Sequence, residues 1–241
     1  MPIEPVRLEA SVGDRTAPAL LFVPRSEGPL PLVLLGHGAH LSKDDEVMQL
    51  LANGLARGVP AGVVLMDCPG HGERRPAGCT DAEFERDVAR RMADPGGDGA
   101  LIADWLAVAA AARAHDPRLT GPLGYAGFSM GALFGLSIVA DMPDVRAAVF
   151  ALGGVLHSDA FGKGSAAERN AKVLDGARRL GEREVLMLNM TRDEHFPIEG
   201  AIEVLEQIPG AKRMGVWAGT HVEIQPEAIL QASQFLARTL A

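Results

Sequence analysis

The sequence predicts an α/β fold, a mainly parallel twisted sheet with helices on both faces. Two observations carry this. Short apolar runs alternate along the chain with segments of helical periodicity, which argues for parallel strands covered on both sides. Glycines also gather at the ends of those apolar runs, where an open parallel sheet binds its ligands. No proline-, serine- or charge-rich linker divides the 241 residues, so one domain spanning 1–241 is expected.

The elements follow in order. Val6–Ala10 and Leu20–Val23 have no helical stretch between them and read as an antiparallel edge hairpin. Leu30–Gly36 is an apolar run ending in glycine, a buried strand. Ser42–Arg57 has helical spacing, with Val47, Leu50, Leu51 and Leu55 on one face. Ser42 is the expected N-cap, Asp44, Asp45 and Glu46 suit the positive end of the helix dipole, and Gly58 ends the helix. Ala61–Asp67 is the next strand, followed by the turn-rich stretch Cys68–Gly78. Helices are expected at about Asp81–Met92 and Gly99–His115, on either side of Asp94-Pro-Gly-Gly-Asp. The second contains an alanine-rich tract at Ala107–Ala114, good helix former. Leu123–Phe128 reads as a strand, Met130–Asp141 as a helix, Val145–Leu152 as a strand and Gly164–Gly181 as a helix. Glu184–Met190 and Lys212–Ala218 complete the strands, with helices at Ile198–Gln207 and Pro226–Leu240.

Composition removes several function classes. The chain carries 23 basic and 31 acidic residues, net charge −8, whereas a phosphate-binding surface needs basic residues; nucleic acid is not an expected partner. The longest apolar stretch, around Ala147–Leu156, is interrupted by glycine and falls short of the roughly 20 residues of a membrane span, so no membrane partner is expected. The 28 glycines and 16 prolines stay below the roughly 25–30% typical of disordered chains. Met1–Arg7 has no basic segment followed by an apolar one, so no signal peptide is read there. Two cysteines, Cys68 and Cys79, are too few for a zinc module, and a chain of this length needs no disulfide. A reducing cytoplasmic setting is expected, with the protein a monomer or homodimer.

The strongest motif is Gly127-Phe128-Ser129-Met130-Gly131. It follows an apolar strand and opens a helix, the context that a G-x-S-x-G nucleophile turn requires. Glycines are needed because side chains flanking so sharp a turn would strike neighbouring backbone. The turn exposes the Ser129 hydroxyl and leaves the Met130 N–H at a helix N-terminus, ready to hold a developing oxyanion. A serine hydroxyl is a weak nucleophile at neutral pH and needs a base. The seven histidines are 37, 40, 71, 115, 157, 195 and 221. His221 follows the last strand, whereas His115 lies at a helix end beside Asp116-Pro117, where a solvated cap is expected.

With His37-Gly38-Ala39, Asp67-Cys68-Pro69-Gly70-His71-Gly72, Gly127–Gly131, Asp193 and His221, the chain resembles the α/β-hydrolase superfamily. Within it, the chain is most similar to the dienelactone hydrolase-like esterases, and the resemblance covers nearly the whole length. Dienelactone hydrolases proper use a cysteine nucleophile. Ser129 stands in that place here, which favours a general serine esterase. The resemblance implies an α/β-hydrolase fold with a small or absent cap. It assigns His221 as base and Asp193, in Asp193-Glu194-His195-Phe196-Pro197, as the orienting acid, in the chain order serine, acid, histidine. Glu194 and Asp159 are the alternative acids, and His195 is expected to lie outside the reacting set. The Ala39 N–H is implied as the second oxyanion donor. His37 is read as organising its loop, and His71 as structural. Cys68 lacks a placed base and reads as a buried thiol.

These assignments imply hydrolysis of small to medium carboxylic esters without metal or organic cofactor. The alternatives are acyltransfer, amide or C–C hydrolysis, or perhydrolysis on the same triad, and a non-catalytic binding protein. Pocket residues are sought in His40, Phe128, Leu156, Phe161 and Phe196, with Met130 and His157 as further candidates. The intervals Arg74–Gly99 and Gly153–Arg183 are the candidates for a small cover.

Overall fold

The computed structural model describes residues 2–93, 98–156 and 165–241. Eight strands form one sheet: β1 (Val6–Val12), β2 (Arg15–Phe22), β3 (Leu32–Gly36), β4 (Gly62–Met66), β5 (Leu123–Phe128), β6 (Val145–Ala151), β7 (Glu184–Arg192) and β8 (Lys212–Thr220). Their spatial order is β1-β2-β4-β3-β5-β6-β7-β8. β1 pairs antiparallel with β2, as does β2 with β4, and every later pairing is parallel. The helices are α1 (Glu46–Gly58), α2 (Asp81–Ala93), α3 (Asp98–His115), α4 (Met130–Ala140), α5 (Ser165–Arg178), α6 (Ile198–Gln207) and α7 (Pro226–Thr239), with a 3₁₀ turn at Gly72–Arg74.

Side-chain alternation divides the sheet into two cores. Leu32 and Leu34 of β3, Val64 and Met66 of β4, and Ala148 and Phe150 of β6 face the layer of α3, α4, α5 and α6. Val33 and Leu35, Val63 and Leu65, and Ala147, Val149 and Ala151 face α1 and α7. Burial on both faces explains why these strands read as continuous apolar runs. α4 is buried from Met130 to Val139 and apolar all round, because it lies between the sheet and its neighbouring helices.

Most element boundaries agree with the sequence reading to within two or three residues, but β2 begins at Arg15 rather than at the expected Leu20, and α1 also departs. It begins at Glu46 with Asp45 as N-cap, not at Ser42. The Ser42 amide and hydroxyl instead bond the Asp45 carboxylate, at 2.6 and 2.7 Å. Only Glu46 of the three acidic residues stands in the first turn. The buried face is Met48, Leu51, Ala52, Leu55 and Ala56, while Val47 and Leu50 are exposed. Small Ala52 and Ala56 bring the helix close to its neighbours, which turns the larger Val47 and Leu50 outward.

Strand order reverses around β3: β4 lies to one side of it and β5 to the other. In an open sheet that reversal opens a crevice beyond the strand ends. The loop after β3 and the turn after β5 meet there.

Candidate active site

Ser129 sits between β5 and α4 with φ 55° and ψ −113°, a backbone state that costs a non-glycine residue about 1–3 kcal/mol. Its surroundings enforce it. The Ser129 N–H donates to the Ala151 carbonyl of β6 at 2.9 Å, and its own carbonyl accepts the Leu133 N–H at 2.9 Å. Both flanking glycines are sterically required. A β-carbon on Gly127 would lie 2.3 Å from the Gly131 carbonyl oxygen, and one on Gly131 would lie 2.5 Å from that of Gly36. The Tyr125 hydroxyl donates to the Gly131 carbonyl at 2.7 Å and supports the turn from inside the core.

The loops after β7 and β8 bring two more side chains to this turn. The Ser129 Oγ lies 2.8 Å from His221 Nε2, and His221 Nδ1 lies 2.8 Å from Asp193 Oδ2. A carboxylate oxygen can only accept, so the imidazole proton sits on Nδ1 and Nε2 is bare to receive the serine proton. The second carboxylate oxygen, Oδ1, accepts the N–H groups of His195 (3.0 Å) and Phe196 (2.9 Å). Burial pushes the Asp193 carboxyl up. The bonds from His221, Phe196 and His195, with the charge of His221, outweigh burial and hold it below the usual aspartate value.

Glu194, one of the alternative acids, has another place: its Oε2 accepts the His221 backbone N–H at 3.2 Å. His195 packs edge-on against the His221 ring, centroids 4.8 Å apart. Asp159, His157 and Phe161 lie outside the described residues.

Among the described residues, the backbone N–H groups of Met130, beside Ser129, and of Ala39 are among those without a protein acceptor. The Ala39 loop is tied to the serine turn by the Gly131 N–H, which donates to the His37 carbonyl at 3.0 Å. His37 is fully buried. Its Nδ1 donates to the Gly38 carbonyl (2.8 Å) and its Nε2 accepts the Cys68 N–H (3.0 Å). Burial, with the neighbouring His71, pushes His37 down to about 3, so the ring is neutral. His71, 1% exposed, lies 2.7 Å through Nε2 from the Ala39 carbonyl.

The expected pocket residues separate. Phe128 and Leu156 are buried core residues on opposite sides of the sheet, not an exposed lining. β5 points Phe128 down toward α7, and the Leu156 backbone is held by Asn170 of α5. Phe196 is 1% exposed and lies under the His221 ring, centroids 5.7 Å apart. His40 is at the surface, 3.3 Å from Glu85 of α2. Burial pushes the Cys68 thiol up to about 12, so it is protonated at neutral pH.

One cluster had no sequence signal. Asp44, Asp67 and Glu73 converge closely enough to hold a cation, and the buried Lys43 ammonium stands among them. It lies 2.6 Å from Asp44 and 3.2 Å from Asp67, and also contacts Glu73. Asp67 further accepts the Lys43 N–H (2.8 Å) and the Glu73 N–H (3.0 Å), joining the loop after β3 to the turn after β4.

Comparison with solved structures bears on this arrangement. A cold-adapted esterase from an Arctic intertidal metagenomic library is 26% identical, over 100% of this chain and 96% of that one, with a TM-score of 0.80. The chain has an α/β-hydrolase fold. Dienelactone hydrolase from Anabaena variabilis superposes over 99% of this chain and 97% of its own at 20% identity, TM-score 0.69. A Pyrococcus furiosus esterase does so over 99% and 94% at 17% identity, TM-score 0.71. No family model and no curated protein matches the sequence. Among the described residues, no helix of this chain is long and apolar enough to cross a membrane.

Proposed function

We propose that this chain is a serine hydrolase of small to medium carboxylic esters, acting as one domain through Ser129, His221 and Asp193. The observation that carries the reading is the unbroken Asp193–His221–Ser129 hydrogen-bond chain, 2.8 Å at each link, ending on a strained serine. Similarity to a named esterase over the full length supports it.

In this reading Ser129 attacks the ester carbonyl as His221 Nε2 takes its proton. Asp193 holds the ring and stabilises the imidazolium that forms. The Met130 N–H, at the positive end of α4, and the Ala39 N–H receive the carbonyl oxygen as it becomes an oxyanion. His221 then returns its proton to the leaving alcohol, and water, deprotonated by the same nitrogen, releases the acid. These steps draw only on groups of the chain. The intervals 74–99 and 153–183 are too short for a large cap domain, which favours modest acyl groups, and α2 packs beside the Ala39 loop through Phe84, 5.2 Å from His71.

The test is labelling with a fluorophosphonate probe together with kinetics on p-nitrophenyl esters of increasing acyl length. Ser129 should carry the label, Ser129→Ala should lose several orders of magnitude in kcat, and short esters should be preferred. An unlabelled wild type, or a fully active Ser129→Ala, contradicts the proposal.

A further inference from the structure

We propose that His71 is a positioning residue for the oxyanion site, fixing the direction of the Ala39 N–H from a different loop. The inference rests on the ester-hydrolase reading above and assigns the geometry of one of its donors.

Ala39 joins two peptide planes: the one before it carries its N–H, and the one after it carries its carbonyl. Both peptide bonds are trans, so within each plane the carbonyl and the N–H point opposite ways. In the plane before Ala39, the Gly38 carbonyl accepts from His37 Nδ1 at 2.8 Å and from the Leu41 N–H at 3.2 Å. The Ala39 N–H must therefore point away from His37. In the plane after it, the Ala39 carbonyl accepts from His71 Nε2 at 2.7 Å. That bond pins the Ala39 end of the loop to the turn after β4; without it the Cα that both planes share is anchored from the Gly38 side alone and can shift, tilting the N–H. The site lies close by: a β-carbon on Gly38 would be 3.8 Å from the Ser129 Cβ.

The donor is well suited to a fixed task. His71 stands 32 residues from Ala39 in sequence, in the turn after β4, so it braces the loop from outside. Its ring is held between His37, at 5.0 Å, and the edge of Phe84, at 5.2 Å. Its Nδ1 faces the Pro69 carbonyl at 3.2 Å, the weaker of its two contacts, so a neutral ring keeps its proton on Nε2. Protonation would add a donor at Nδ1 and leave the Ala39 bond in place.

The test compares His71→Leu, which removes the donor, with His71→Gln, whose amide N–H can stand near the original Nε2. Each is measured for kcat and KM on p-nitrophenyl butyrate, for Ki of an aryl trifluoromethyl ketone that mimics the tetrahedral adduct, and for melting temperature. A misaimed donor should lower kcat about 10- to 100-fold in His71→Leu. KM should stay within about twofold, the ketone Ki should rise by the same factor as kcat falls, and His71→Gln should recover most of both. Phe84→Ala loosens the ring without removing its donor, and should show a smaller loss in the same parallel. It also serves as the test if His71→Leu does not fold. An unchanged ketone Ki in these variants, or a His71→Gln as impaired as His71→Leu, overturns the proposal. A wild type that neither hydrolyses esters nor takes the fluorophosphonate overturns the reading beneath it, and this proposal with it.

Discussion

Replacing Asp193 by asparagine should abolish turnover while leaving the fold in place. The two carboxylate oxygens have divided duties. Oδ1 accepts the N–H groups of His195 and Phe196, and Oδ2 accepts the proton on His221 Nδ1. An asparagine has one oxygen only. Two backbone donors compete with one ring donor for it, so the oxygen stays with His195 and Phe196, and the NH₂ turns to His221. Nδ1 must then be bare and the ring proton moves to Nε2, against Ser129 Oγ, where the base can no longer accept. Misassignment of this tautomer in a serine triad costs about 10⁴-fold in kcat, or about 5 kcal/mol at 1.36 kcal/mol per decade. The kinetics of Asp193→Asn on p-nitrophenyl butyrate, beside its melting curve, measure this. The variant also tests a linkage. The folded carboxyl titrates below its unfolded value of about 3.9, so ionised Asp193 adds stability above about pH 4 that is lost as pH falls through the folded value. The variant lacks that contribution, so its acid unfolding should be less steep. A folded Asp193→Asn that keeps kcat within tenfold of wild type would refute the tautomer argument.

Three further outcomes are expected. Gly131→Ala puts a methyl group 2.5 Å from the Gly36 carbonyl oxygen, where only backbone could yield; it should cost about 2 kcal/mol or more, read as a lower denaturation midpoint, and reduce fluorophosphonate labelling. Cys68, buried and protonated, should resist iodoacetamide at pH 7.5 while half-exposed Cys79 reacts, and Cys68→Ser should retain ester hydrolysis; mass mapping of the alkylated peptide and an activity assay check both. Lys43→Met leaves Asp67 buried without its counter-charge and should destabilise by about 3 kcal/mol, measured by urea unfolding.

What the sequence made legible was local. β3, β4 and β6 announced themselves because both faces are covered, so their apolar runs are unbroken, in β6 from Ala147 onward. The serine turn was legible because Gly127 and Gly131 each answer to a clash within a few ångströms. The face of α1 was misread because periodicity weighs large apolar side chains, whereas close packing selected Ala52 and Ala56 and left Leu50 outside. Phe128 and Leu156 were read as lining for a similar reason: nearness to Ser129 in sequence or topology does not fix the direction of a side chain, and alternation turned Phe128 away. Lys43 gave no signal, and His71 was read as structural without its partner. Asp67 stands 24 residues from Lys43 and Ala39 stands 32 from His71, and only the closure of the sheet brings each pair together.

The residue beneath the serine turn has a practical consequence. Tyr125 is the only tyrosine in the chain, and its hydroxyl bonds the carbonyl of Gly131. Biosynthetic replacement of tyrosine by 3-fluorotyrosine would therefore place a single fluorine label under the Ser129 turn. One ¹⁹F resonance, free of overlap, would then follow the turn through acylation and release, with no label added at the surface.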